Sequence, residues 1–118
     1  MQAIKEYNID LGAVQPIPMM GYKDYIRFQQ DSSFIISDSG TAQEEPALLG
    51  IPVVVPRDFT ERPESNDNGC SVLMLLDEES CEKTIRWVEN WSKEQSDASW
   101  MGNGTASTAI VNALKEVL

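Results

Sequence analysis

The chain has 118 residues, 42% of them apolar, with 9 basic and 19 acidic side chains, a formal net charge of −10 and no histidine. That length and apolar share furnish one small domain with a core of its own and exclude a disordered tail, while the missing imidazole excludes Ser-His or Cys-His nucleophile pairs and a Cys₂His₂ zinc site. The acidic balance excludes nucleic acid or an anionic membrane as principal partner, since either calls for a basic patch, but leaves room for a small anion held by a few backbone N–H groups and one arginine.

In chain order, the first expectation is a weak strand over residues 9–14, ended by Pro16 and Pro18. Tyr22, Tyr25, Ile26 and Phe28 then fall within one or two turns of a helix over residues 22–30. Three unbroken apolar runs follow: Phe34-Ile35-Ile36, Val53-Val54-Val55 and residues 72–76. Continuous rather than alternating, they predict strands buried on both faces, as in a parallel sheet covered by helices. Between the first two, residues 41–49 predict a helix, with Gly50 as its terminator and Pro52 opening the next strand.

Asp77 is placed to cap a helix whose first turn carries Glu78 and Glu79, which suits the positive end of the helix dipole. Cys81, Ile85 and Val88 form its apolar stripe, with Trp87 and Trp91 adjacent as core or interface residues. After Gly102-Asn103-Gly104, a last helix carries Ala106, Ala109, Ile110, Ala113, Leu114 and Val117 on one face and is expected to dock on the sheet. Cys70 and Cys81 have neither metal spacing nor a disulfide framework, so both are expected as small apolar fillers in a reducing, cytoplasmic setting. No apolar stretch is long enough for a membrane span.

The order β-α-β-α-β, a turn or short helix, then β-α-α predicts an α/β fold with right-handed crossovers and a mostly parallel sheet of about four strands. Ligands of such sheets bind at the carboxyl ends of the strands, which directs attention to two loops. Ser37-Asp38-Ser39-Gly40-Thr41 is a plain N-cap turn or an anion site, with Ser39 and Thr41 as hydroxyl donors. Gln43, Glu44 and Glu45 come next, and a carboxylate there either steadies the helix dipole or accepts from a ribose diol. The second loop, residues 56–64, alternates Arg57-Asp58 with Glu61-Arg62. It reads either as a self-neutralising surface loop or as a source of arginine for phosphate. Tyr22 or Tyr25 could supply a flat face for a base.

Together the residues resemble a family. Asp38-Ser39-Gly40-Thr41-Ala42-Gln43-Glu44-Glu45, a short spacer, Ile51-Pro52-Val53-Val54-Val55, and Arg57-Asp58-Phe59-Thr60-Glu61-Arg62-Pro63-Glu64 are similar to the paired motifs of the non-hydrolysing UDP-N-acetylglucosamine 2-epimerases. The double motif at this spacing is specific. Residues 16–28, with Tyr22 and Tyr25 at aromatic positions, and Gly102-Asn103-Gly104 with Ala106-Ser107 extend the resemblance over nearly the whole chain.

The resemblance implies that residues 1–118 form a single Rossmann-like three-layer α/β domain, the C-terminal lobe of a glycosyltransferase-B-like fold, without the N-terminal catalytic lobe. It further implies UDP or a UDP-N-acetylhexosamine as ligand, with Ser39, Gly40 and Thr41 at the diphosphate, Glu45 on the ribose, Arg62 against the phosphates and Tyr25 near the uracil. It implies no catalytic residue in this chain, no metal and no cofactor. Its expected partners are a homo-oligomer or a complementing N-terminal lobe, and its expected setting is polysaccharide biosynthesis. Two departures stand out. Thr41 replaces the family's second glycine, and Pro46 sits one place early, removing an N–H inside the helix.

Overall fold

A computed structural model describes residue 4 and residues 6–117. Its elements are α1 (Tyr22–Gln30), β1 (Ile35–Ile36), a 3₁₀ turn (Thr41–Gln43), α2 (Glu45–Leu49), β2 (Val53–Val55), α3 (Pro63–Asp67), β3 (Ser71–Leu73), α4 (Glu78–Asn90), two further 3₁₀ turns (Lys93–Gln95 and Ser99–Met101) and α5 (Ala106–Val117). The strands form one parallel sheet in the order β1-β2-β3. Ile35 lies opposite Val53, and Val53 opposite Ser71.

The sheet has three strands among the described residues, one fewer than expected. Residues 9–14 form no strand, and the reason is local. Asn8 and Gly12 take positive φ, the Asp10 carboxylate accepts from the Gly12 N–H at 2.9 Å, and the Val14 N–H closes on Leu11 O at 2.8 Å. Those turns use the backbone groups that a ladder would need.

Val53, Val54 and Val55 are fully buried, as an unbroken run on a central strand should be. The flanking strands are not buried on both faces: Ile36 is 58% exposed and β3 is only partly covered. Phe34, Ile36, Val54 and Met74 on the sheet, with Cys81, Thr84, Ile85 and Val88 of α4, instead line an open apolar cavity of about 430 Å³. The stripe expected on α4 is there, facing this cavity.

Several local expectations hold. The Asp77 side chain caps α4, accepting from the Ser80 N–H at 2.8 Å, and Gly50 ends α2 at φ 72°. The helix expected over residues 41–49 is broken in two, a 3₁₀ turn and a short α-helix, because Pro46 has no N–H to continue the ladder. Cys70 is buried, its thiol raised above the ordinary range mainly by that burial, whereas Cys81 sits half-buried on the cavity wall. Trp91 Nε1 donates to Gly69 O at 2.8 Å, fastening the end of α4 to the turn before β3.

The last helix forms where the periodicity places it, but it does not dock on the sheet. No residue of α5 is buried. Gly102 and Gly104, at φ 80° and 82° with open space around them, carry the chain away from the core. The molecule is correspondingly long, 62 × 31 × 25 Å with a radius of gyration of 17.8 Å, against about 13 Å for a compact domain of some 100 residues.

Candidate functional site

Because β1 and β2 run parallel, the loops that follow them leave the sheet at the same, carboxyl, end. The Ser37 N–H still donates to Val54 O at 3.0 Å, so the first loop starts from a fixed point. Its Ser39 N–H turns back onto Ser37 Oγ at 3.2 Å, and the hydroxyls of Ser39 and Thr41 lie 3.1 Å apart, sharing a hydrogen bond. Ser39 and Thr41 are both solvent-exposed.

Gly40 has φ −58°, an ordinary helical value, so the backbone conformation does not require glycine there. Its surroundings are more informative. A Cβ on Gly40 would lie 3.7 Å from Glu61 Oε1 and 3.9 Å from Arg62 Nη2. The turn bearing the two hydroxyls therefore faces the charged end of the second loop.

The two loops brace one another. Thr60 Oγ1 donates to Gln43 Oε1 at 2.6 Å and accepts from the Arg62 N–H at 3.0 Å. Ser65 Oγ donates to Gln43 O at 3.1 Å. The Gln43 and Ser65 ends of this bracing are fully buried, where hydrogen bonds are strongest and hardest to replace with water. Gln43 Nε2 remains without a partner among the described residues.

Arg62 Nε donates to the Glu44 carboxylate and its Nη1 to Glu61 O at 3.1 Å. The hydrogen bond to Glu44, then that carboxylate's charge, raises the guanidinium pKa. Arg57 bridges Asp38 of the first loop, at 3.6 Å, and Glu61, at 3.5 Å. These partly solvated pairs add little to stability but limit the orientations of the loop.

Of the residues expected to bind a ligand, Ser39, Gly40, Thr41 and Arg62 thus come together. Arg62 does so with its Nε already engaged by Glu44. Glu45, one residue further, is half-buried and accepts from Tyr22 Oη at 2.9 Å. That hydrogen bond, followed by the carboxylate's charge, raises the Tyr22 pKa, so the phenol stays a donor across neutral pH. Tyr25 lies three residues along α1 from Tyr22 and is 39% exposed. Sequence reasoning named Thr60 and Gln43 within the two motifs but gave neither a role. A threonine two residues before an arginine N–H is a recognisable turn motif, but its second bond, to Gln43, joins residues 17 apart. Among the described residues no group of three or more Cys, Asp or Glu could hold a metal, and no helix is long and apolar enough to cross a membrane.

Comparison with known proteins gives this arrangement its setting. The family described as UDP-N-acetylglucosamine 2-epimerase matches residues 1–115. The UDP-N-acetylglucosamine 2-epimerase of Bacillus subtilis (strain 168) is 35% identical over 105 residues, 86% of this chain and 27% of that protein. The UDP-GlcNAc 2-epimerase of Methanocaldococcus jannaschii, solved in complex with UDP-GlcNAc and UDP, superposes with a TM-score of 0.79 at 28% identity, covering 98% of this chain and 33% of that one. The Neisseria meningitidis enzyme, solved bound to UDP-GlcNAc, gives 0.64 at 30% identity over 85% of this chain and 28% of that one. The chain thus spans about a third of the length of the relatives it matches. With a match along residues 1–115, a shared open α/β fold and the paired loops braced on adjacent parallel strands, this chain belongs to the UDP-N-acetylglucosamine 2-epimerase family.

Proposed function

We propose that this chain is a nucleotide-sugar-binding unit of epimerase type, corresponding to the C-terminal lobe of a glycosyltransferase-B-like enzyme, and that it does not epimerise alone. The observation that carries the proposal is the meeting of Ser39, Gly40 and Thr41 with Arg62 at the carboxyl end of the sheet, next to Glu45. Backbone N–H groups and two hydroxyls suit a diphosphate, Arg62 supplies the nearby positive charge, and Glu45 accepts from the ribose hydroxyls. Tyr25 offers a face for the uracil. In this reading UDP or a UDP-N-acetylhexosamine binds without broad basicity, which reconciles a −10 chain with an anionic ligand.

The absence of histidine supports the non-catalytic half of the proposal. The family's reaction takes the C2 proton and expels UDP from C1 to leave a glycal, then returns UDP to C1 while a proton adds to the opposite face of C2, with carboxylates and a histidine handling the protons. Here Glu44 is committed to Arg62 and Glu45 to Tyr22, both within the UDP-binding region. A complementing lobe, or further copies of the chain, would cover the β1 edge, which is unpaired among the described residues, in a cytoplasmic pathway that supplies sugar nucleotides. Titration calorimetry with UDP tests the binding reading. Ser39→Ala and Arg62→Ala are each expected to weaken binding by about tenfold or more, and the wild-type chain is expected to convert no UDP-GlcNAc to UDP-ManNAc. Turnover at an enzymatic rate would overturn the non-catalytic claim.

A second reading has its own observation. Arg62 is already neutralised by Glu44, with Glu61 beside it, and the wall between the sheet and α4 is apolar and open. A protein that kept the fold and lost the ligand, serving as a regulatory or interaction partner, would show this. Undetectable UDP binding by the wild-type chain favours it.

A further inference from the structure

The adjacent carboxylates of Glu44 and Glu45 are treated differently. Glu44 is taken by a guanidinium, which cancels its charge, whereas Glu45 is held by the neutral phenol of Tyr22. A phenol donor fixes one carboxylate oxygen without supplying a counter-charge. It occupies one of roughly four lone-pair directions on the group, so Oε2 and the remaining direction on Oε1 stay available as acceptors. Both residues stand at helix starts: Tyr22 is the first residue of α1, whose first turn is closed by Tyr25 N–H on Gly21 O at 2.9 Å, and Glu45 is the first residue of α2, followed by the φ-locked Pro46. The hydrogen bond thus joins two stiff points 23 residues apart.

We propose that Tyr22 is a positioning residue that presets the Glu45 carboxylate for a vicinal diol, and so gives the chain a preference for ribonucleotides over 2′-deoxyribonucleotides. The proposal rests on the UDP-binding reading above and extends it to a residue that does not itself touch the ligand. A carboxylate that must accept from two neighbouring hydroxyls gains most from being oriented beforehand, because the rotamer entropy is lost before the ligand arrives. An acceptor set for two donors discriminates against a ligand that brings one, since the bound ligand then covers a second acceptor position that is left unpaired.

The test is titration calorimetry of the whole chain with UDP and with 2′-deoxy-UDP. Wild type is expected to favour UDP by about tenfold. Tyr22→Phe and Tyr22→Leu, which both lack the hydroxyl, are expected to weaken UDP binding by about fivefold, to leave 2′-deoxy-UDP binding within about twofold, and so to bring the ratio close to one. Glu45→Gln should reduce the ratio likewise, and Tyr22→Phe combined with Glu45→Gln should lose no more than the larger single loss. A purely structural role for Tyr22 would weaken both ligands equally. Tyr22 is 65% exposed, so its replacement spares the core, and circular dichroism checks that the variants are folded. A folded Tyr22 variant that keeps the wild-type ratio overturns the proposal alone, whereas a wild-type chain that binds neither nucleotide overturns the UDP-binding reading beneath it.

Discussion

The hydroxyl of Thr60 does two jobs within one loop, donating to the buried Gln43 amide oxygen and accepting from the Arg62 N–H. Thr60→Val keeps the shape of the side chain and removes both bonds. Because Gln43 already has an unpaired Nε2, the variant leaves a fully buried amide with neither of its polar atoms bonded. The expected cost is about 1–3 kcal/mol, read as a lower denaturant midpoint with an unchanged slope; an unchanged midpoint would show that the bond does not brace the loops. Of the site, the loops themselves were legible, since strand-end position and residue chemistry both pointed to residues 37–41 and 56–64. The links between them were not. Thr60 to Gln43 and Tyr22 to Glu45 depend on how elements far apart in sequence are set against each other, and no local pattern records that.

At the scale of elements, the β2 run Val53-Val54-Val55 and the capped helix after Asp77 were legible because each is decided by near neighbours and burial. The false strand at residues 9–14 shows the limit of apolar content as a signal: Asp10 and Gly12 supplied a competing turn. For α5 the periodicity was right and the docking was wrong, because a hydrophobic stripe encodes a buried face without encoding what buries it. An isolated helix of this length is marginal in water. Its amides are therefore expected to exchange with solvent within seconds to minutes, while those of β2, buried at the sheet centre, exchange orders of magnitude more slowly. Hydrogen-deuterium exchange by mass spectrometry checks this, and slow exchange across residues 106–117 would mean that a partner already holds the helix.

For the molecule as a whole, three features are uncovered among the described residues: the edge of β1, the apolar cavity against α4, and the undocked α5. An unpaired parallel edge with exposed Phe34 and Ile36 is a template for another chain. The net charge of −10 opposes association of identical copies at low ionic strength, so assembly should strengthen with salt as that repulsion is screened. Sedimentation equilibrium at micromolar concentration is expected to give a mass above 13.2 kDa that rises with added salt. One chain mass at every salt concentration would count against a homo-oligomer and leave a complementing lobe as the occupant.

The mutual bracing of the loops over residues 37–41 and 56–64 has a mechanical consequence. Asp38, Gln43, Glu44, Thr60, Arg62 and Ser65 fasten the two loops to one another, and β2 between them is bonded into the sheet on both sides. The braced loops and the sheet therefore move as one unit, so under the proposed reading a rigid-body swing against a partner lobe would carry the site along without rearranging it. On that reading the geometry offered to the phosphates would be the same before and after the swing, and only the face presented by the other lobe would differ.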